Sequence, residues 1–437
     1  AVAKYTSKKK NFDYKSENVI IGPGSKELMF LLHIIFDGEI ILPAPSWVSY
    51  APQAIIGRNK IQILQTKREN NWFPTAAEIE KVILKNKNKN YLLFLNSPNN
   101  PSGQICENLG EISEIANKYN LIILSDEIYS ELTFEDSFKS ISNFCPEKTI
   151  ISTGLSKWCG AGGWRLGYFL IPDNLLDIKN MINVLASETF SAVSAPIQYA
   201  AIKAYENDHS DYINKSRNIL KAVGNYVYEN LRSNKVLINS PQGGFYLMPE
   251  FLNKKFNSSS EMCDNILKDT GVALLPGSDF GFEKSRMLAR LSFTDFDGQK
   301  FMNKIDANQS LDLNDFIDFY ENRKRTLKNI LLNKSLNQYE YSDLGSMATI
   351  GRNKAVVDLP FFSFKGFFAW LIGQNPERLV LHQRALQKTL KLQIEALHVS
   401  QAFQLLGCKF FEVSCELKLI FLKGLGRFFA GSFYYMD

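Results

Sequence analysis

Histidine is scarce in this chain, four residues in 437 and far apart, which argues against a zinc cluster, and no metal site is expected. The six cysteines (Cys106, Cys145, Cys159, Cys263, Cys408 and Cys415) are scattered, without a CxxC pair and without a secretory leader ahead of them. That usage favours a reducing, cytoplasmic setting. Long runs of one charge are missing too: the formal net charge is +5 and acids and bases are interspersed. The basic stripe of a nucleic-acid binder is therefore absent, while small anionic ligands stay compatible. There is no internal repeat and no low-complexity tract.

What the chain does have is apolar content, 45% of its residues, enough for two or three domains with their own cores. Residues 17–175 alternate short apolar runs with polar, helix-periodic stretches. EIILP (39–43), NYLLFLN (90–96), NLIILSDE (120–127), KTIIST (148–153) and WRLGYFLI (164–171) read as buried strands, and GEISEIANKYN (110–120) as a crossover helix. The pattern is α/β with a mainly parallel sheet, filling a large domain over 1–195. Over 196–334 the signal becomes α+β: a helical opening (PIQYAAIKAY), strands GGFYLMP (243–249) and MLARLSF (287–293), and a closing helix around DLNDFIDFYENRKRTLKNILL. Composition shifts again over 335–437, a separate and mostly helical tail, where Asn375 caps a helix with Pro376 at its first position.

Several residues at predicted strand ends carry chemistry, and open α/β sheets place their ligands at that edge. Lys157 follows KTIIST and precedes a glycine-rich bend, so its ammonium is able to turn inward, where desolvation and a neighbouring cation lower its pKa. Arg165 stands among Trp164, Leu166 and Tyr168, a costly place for a charge unless an anion partners it. Asp126 ends an apolar run and calls for a cation. Tyr129 follows it by one turn if a helix starts there. In NSPNNPSG the paired prolines forbid regular structure and present Asn100 from a fixed loop. Gly24, Ser25 and Lys26 set backbone amides at a helix start, an anion seat, and Trp47 in PAPSWVSY offers a stacking face. Taken singly, each has an ordinary alternative: a solvated lysine, an arginine paired with a structural carboxylate, a helix-capping aspartate, a plain turn, a core tryptophan. Together they supply what a flat, phosphorylated aromatic aldehyde needs: an amine, a carboxylate for its ring nitrogen, a donor for its phenolic oxygen, a π-face and an anion nest.

The segments GPGSKEL, PAPSWVSY, NSPNNPSG, SDEIYSEL, GLSKWCGAGGWRLGY, GGFYLMP and LARLSF occur in the order seen in class I/II aminotransferases, the fold-type-I pyridoxal-phosphate enzymes, and the chain resembles that family over about residues 1–330. The resemblance implies pyridoxal 5'-phosphate as cofactor, with Lys157 as the Schiff-base lysine and Asp126 as the partner of the pyridine nitrogen. Tyr129 and Asn100 would hold the phenolic oxygen, Trp47 would stack on the ring, and Gly24, Ser25, Lys26 and Arg165 would cradle the phosphate. Arg290, with Asn100, would grip the substrate carboxylate, a task suited to a forked guanidinium. It also implies ping-pong transfer of an amino group between an amino acid and a 2-oxo acid, in a homodimer.

Family members often carry a hydroxyl residue three positions before the lysine, where this chain has Gly154; Thr153 or Ser156 is then expected to make that phosphate contact. The chain opens at Ala1, after the positions of the family's glycine loop and of the tyrosine that reaches the partner's phosphate. A catalytically impaired cofactor-binding protein is accordingly one alternative, and a lyase or decarboxylase on the same fold another. In the tail, YSDLGSMATIGRNKAVVDL with FFSFKGFFAWLIG resembles the carboxy-terminal part of type II NADH dehydrogenases, without the strand–GxGxxG–helix flavin fingerprint of that family. The tail's apolar runs are shorter than the roughly twenty residues of a membrane span. Its basic, aromatic end fits a membrane surface or a buried helix equally.

Overall fold

The computed structural model describes residues 1–10, 12–135, 138–252, 255–296 and 298–307, and three strands within 346–366. The chain divides into two units, Ala1–Tyr339 and Glu340–Asp437.

The first unit is built on a seven-stranded sheet. Its strands are β1 (Val19–Gly22), β2 (Glu39–Ala44), β3 (Lys60–Gln65), β4 (Tyr91–Asn96), β5 (Ile122–Asp126), β6 (Thr149–Gly154) and β7 (Gly167–Leu170), in the spatial order β1-β7-β6-β5-β4-β2-β3. From β3 to β6 neighbours run parallel, whereas β7 is antiparallel to β6 and β1 to β7. The central strands are buried along their whole length, which is why they read as unbroken apolar runs. Alternation sorts their side chains onto two faces. Ile40, Leu42, Leu92, Phe94 and Leu124 join one core and Ile41, Leu93, Leu95 and Ile123 the other.

Helices cover both faces: α1 (Val2–Lys10), α2 (Ser25–Ile35), α3 (Tyr50–Ile56), α4 (Ala76–Leu84), α5 (Leu109–Tyr119) and α6 (Leu176–Thr189). Leu28, Leu31 and Leu32 of α2 enter the first core, and Ile79 and Ile83 of α4 with Ile112 and Ile115 of α5 the second. Helix α4 begins in a reciprocal cap, Glu78 N–H to Thr75 Oγ1 (3.2 Å) and Thr75 N–H to Glu78 Oε2 (2.8 Å). Helix α5, expected over 110–120, ends on Asn120 in the left-handed conformation at φ 53°.

Beyond this sheet come α7 (Ala195–Glu206), α8 (Ser210–Leu231), α9 (Ser259–Thr270) and α10 (Gly298–Asp306). Between them run the short strands β8 (Val236–Leu237), β9 (Tyr246–Leu247), β10 (Glu250–Phe251), β11 (Leu275–Pro276) and β12 (Ala289–Ser292). Strand β12 lies between β11 and β9, antiparallel to both. The strands expected at 243–249 and 287–293 are thus present but shorter. The helix expected around 312–332 lies outside the described residues.

Of the second unit, β13 (Ser346–Thr349), β14 (Ala355–Leu359) and β15 (Phe362–Gly366) are described and form an antiparallel sheet. The helix expected after Asn375 is outside the described residues, as is most of the NADH-dehydrogenase-like segment.

Candidate active site

Register brings the chemistry together. In the parallel ladder Asn96 lies opposite Asp126, and Asp126 opposite Ser152, so β4 and β5 end level, β6 runs two residues further, and all three release their loops at one edge. A single-residue slip would turn each of these side chains to the other face.

Asp126 is 4% exposed. Its Oδ2 accepts from Tyr50 Oη at 2.6 Å, and its Oδ1 accepts a longer bond of 3.4 Å from Ile128 N–H. Burial raises its pKa to about 6 against the opposing pull of those donors, and Glu127 adds to the rise while Lys157 opposes it. The neighbouring carboxylate of Glu127 is turned to other partners, accepting from Ser125 Oγ (2.9 Å) and from Ser140 Oγ. Tyr50 was not singled out from the sequence. The signal was available: it opens α3 three residues after Trp47, and its ring meets that indole edge-on at 5.4 Å between centroids.

Lys157 is half-buried, its Nζ 5.6 Å from the ring centroids of both Tyr129 and Phe245. Desolvation lowers its pKa most; Arg290 and Arg165 lower it further and Asp126 works the other way. Tyr129 is 3% exposed and follows no α-helix: it precedes a short 3-10 turn, Ser130–Leu132, so the helical placement expected for it gives way to a tight turn. Burial raises its phenol well above the usual value.

Asn100 is fixed from two sides. Its N–H donates to Asn96 Oδ1 at 2.7 Å, and its Oδ1 accepts from Arg290 Nη1 at 3.0 Å, which leaves Nδ2 as the remaining donor. Asn96, also not anticipated, anchors the loop through Nδ2 to Asp126 O at 2.9 Å. The Arg290 guanidinium lies 4.5 Å from the Tyr246 ring centroid and 5.4 Å from that of Phe280.

The anion seat depends on close backbone approach. Gly24, at φ 86°, precedes α2, and a Cβ there would sit 2.2 Å from Arg165 Nη2. A Cβ on Gly167 would meet Ser25 N at 2.2 Å, and one on Gly154 would meet Leu166 O at 2.6 Å. The hydroxyl residue that relatives often carry at this last position therefore has no room here. Ser156 stands beside Gly162, whose carbonyl accepts from Arg165 Nη1 at 2.8 Å; Thr153 faces away, into a water-sized cavity with Tyr5, Trp158 and Tyr168. Arg165 itself departs from expectation. It is exposed and sits in the left-handed region at φ 55°, before β7 and not within it. Its second bond, Nη2 to Pro23 O at 3.2 Å, holds it against the start of α2, so its charge avoids burial. Lys26 is exposed, its Nζ 5.0 Å from the centroid of the half-buried Trp47 ring.

The chain matches the family model "Aminotransferase class I and II" over residues 1–303. It is 30% identical over 286 residues to the aspartate aminotransferase of Thermotoga maritima, covering 64% of this chain and 72% of that one. It is 33% identical over 283 residues to the aspartate aminotransferase of Bacillus sp. strain YM-2, covering 62% and 70%. Among solved structures, that of the Thermotoga maritima aspartate aminotransferase superposes with a TM-score of 0.61 at 28% identity, over 70% of this chain and 80% of that one. The aromatic aminotransferase of Pyrococcus horikoshii superposes with a TM-score of 0.65 at 25% identity, over 76% and 84%. The chain belongs to the class I and II aminotransferases. It is a fold-type-I transaminase that depends on pyridoxal phosphate. The residues present fit that group: a buried acid awaiting a cation, a desolvated amine, and an anion seat whose glycines leave no space for side chains.

Proposed function

We propose that Lys157, Asp126, Tyr129, Asn100, Arg165 and Arg290 are the working residues with which this transaminase moves an amino group between an amino acid and a 2-oxo acid. The observation that carries the assignment is the placement at the strand ends: Asp126, buried and held by Tyr50 at the end of β5, and Lys157, just past the neighbouring β6 and against the Tyr129 and Phe245 rings, stand at one edge of the sheet. Bound there, pyridoxal phosphate supplies an electron sink for the bond cleaved at the substrate's α-carbon. Lys157 would supply the amine that holds the aldehyde and a base for the α-proton. Asp126 keeps the ring nitrogen protonated. Asn100 Nδ2 and the Tyr129 hydroxyl would donate to the phenolic oxygen, and Trp47 would cover a ring face. Gly24, Ser25 and Lys26 offer the amides of the α2 start to the phosphate, with Arg165 and Ser156 beside them. Arg290, oriented by Asn100, takes the substrate's α-carboxylate in two parallel hydrogen bonds.

The named relatives are aspartate and aromatic aminotransferases. Aspartate and the aromatic amino acids share a free α-carboxylate, and that is the feature assigned to Arg290. A homodimer is the assembly we assign, supported by apolar side chains exposed on three helices: Ile55 and Ile56 on α3, Met181 and Val184 on α6, Tyr199 on α7.

Reduction of the cofactor-loaded protein with borohydride, followed by peptide mapping, tests the site. The label is expected on Lys157 alone, and Lys157→Ala should lose both label and amino-group transfer. A label on any other lysine overturns the assignment.

A further inference from the structure

Two arginines, Arg286 just before β12 and Arg290 within it, share one kind of setting. The Arg286 guanidinium lies 5.5 Å from the Trp72 ring centroid and 4.8 Å from that of Phe282, and its Nε and Nη2 donate to Glu250 Oε1 (3.0 Å) and Oε2 (2.8 Å). Arg290 likewise has two rings beside it, Tyr246 at 4.5 Å and Phe280 at 5.4 Å. Its polar partner, however, is the neutral Asn100 Oδ1, and among the described residues no carboxylate pairs with it. The first site is complete within the chain. The second has the same parts except the anion.

The rings are held by the fold. On the small antiparallel sheet Ser292 of β12 pairs with Tyr246 of β9, so Arg290, two residues earlier, projects from the face that carries Tyr246. Phe280 closes the 3-10 turn Gly277–Phe280 after β11, is 1% exposed, and its carbonyl accepts from Ser46 N–H at 3.1 Å, beside Trp47. A guanidinium is planar, with all its donors in the plane. A ring against it fixes the tilt of that plane and excludes water from it, yet leaves the N–H edge open. At Arg286 that edge is the one Glu250 uses. The single bond to Asn100 would by itself let the plane of Arg290 swing.

We propose that Tyr246 and Phe280 are positioning residues for the substrate's α-carboxylate: their rings, and not the Tyr246 hydroxyl, set the plane of the Arg290 fork. The inference rests on the assignment of that carboxylate to Arg290. Arg286 with Glu250 is the pattern, within the same chain, for the grip that Arg290 makes on substrate.

The test is calorimetric titration of the holoenzyme with propionate, an unreactive carboxylate, for wild type, Tyr246→Phe, Tyr246→Leu, Phe280→Leu and Arg290→Lys, with KM and kcat measured beside it. Y246L and F280L should each weaken propionate binding and raise KM for the amino acid about tenfold, with kcat within about twofold of wild type and cofactor retention unchanged. Y246F keeps the ring and should match wild type within about twofold. Because Phe280 is fully buried, the melting temperature is read for every variant, and Tyr246→Met, unbranched and adaptable, repeats the loss of the ring with less disturbance of packing. Unchanged propionate affinity in folded Y246L, Y246M or F280L overturns the inference. So does a tenfold loss in Y246F, which would place the effect in the hydroxyl. If R290K binds propionate as wild type does, the carboxylate site lies elsewhere and the site reading falls, taking the inference with it. Loss in R290K without loss in Y246L leaves the site reading standing and sinks the inference alone.

Discussion

Asp126 is costly to the chain until a cation joins it. Between its ordinary value of 3.8 and about 6 the folded chain holds a proton that the unfolded chain has released. The stability this confers is present below 3.8 and lost as pH rises through 6, a difference of about 3 kcal/mol. At pH 8, cofactor-free Asp126→Asn should therefore melt several degrees above cofactor-free wild type, and the two should converge near pH 3.5. Adding pyridoxal phosphate should reverse the order at pH 8. His33 behaves oppositely. It is fully buried in α2 and stacked on Phe94 at 4.8 Å; burial lowers its imidazole from 6.5 to about 4 despite the bond from its Nδ1 to Met29 O. Its contribution is present above 6.5 and lost as pH falls toward 4. In urea titrations at pH 7 and 4.5, His33→Leu should lose less stability across that interval than wild type, by on the order of 2 kcal/mol. At this scale the sequence was legible where a residue's type was out of keeping with its surroundings, as with Asp126 at the end of the run LIILS. Tyr50 and Asn96 escaped because a tyrosine opening a helix and an asparagine ending a strand are ordinary there; their roles come from partners 76 and 30 residues away.

Elements meet at the anion seat through glycine alone. The start of α2, the end of β6 and the start of β7 approach so closely that Gly167→Ala would set a carbon 2.2 Å from Ser25 N, against backbone that has no way to yield. The variant should fold poorly or release the cofactor on gel filtration, with an affinity at least tenfold weaker. Gly154→Ser, which installs the hydroxyl that relatives often carry, should lower the melting temperature and cofactor retention, since the new Cβ meets Leu166 O at 2.6 Å. Elements were legible from the sequence in proportion to their burial. The central strands announce themselves as apolar runs, whereas β3 (KIQILQ) alternates at the sheet edge and β1 spans four residues, and neither was anticipated. The left-handed turn at Arg165 was hidden for another reason: its conformation is set by bonds to Gly162 and Pro23, one local and one distant.

For the whole molecule, the family match ends at residue 303 and the first unit at Tyr339. A chain ending at Tyr339 should thus retain borohydride labelling at Lys157, as mass spectrometry of the truncated protein would show. Cofactor at a hundredfold excess over its dissociation constant should stabilise wild type by about 2.7 kcal/mol, read as a rise in melting temperature that Lys157→Ala largely forfeits. The bond between Arg290 and Asn100 joins positions 190 apart in the chain. Closing so large a loop belongs to the slow end of folding. Recovery of the cofactor's fluorescence during refolding should lag behind that of helical circular dichroism, because nothing short of the finished tertiary structure can seat the chromophore; the coenzyme serves as a stopwatch for the last step of the chain's own assembly.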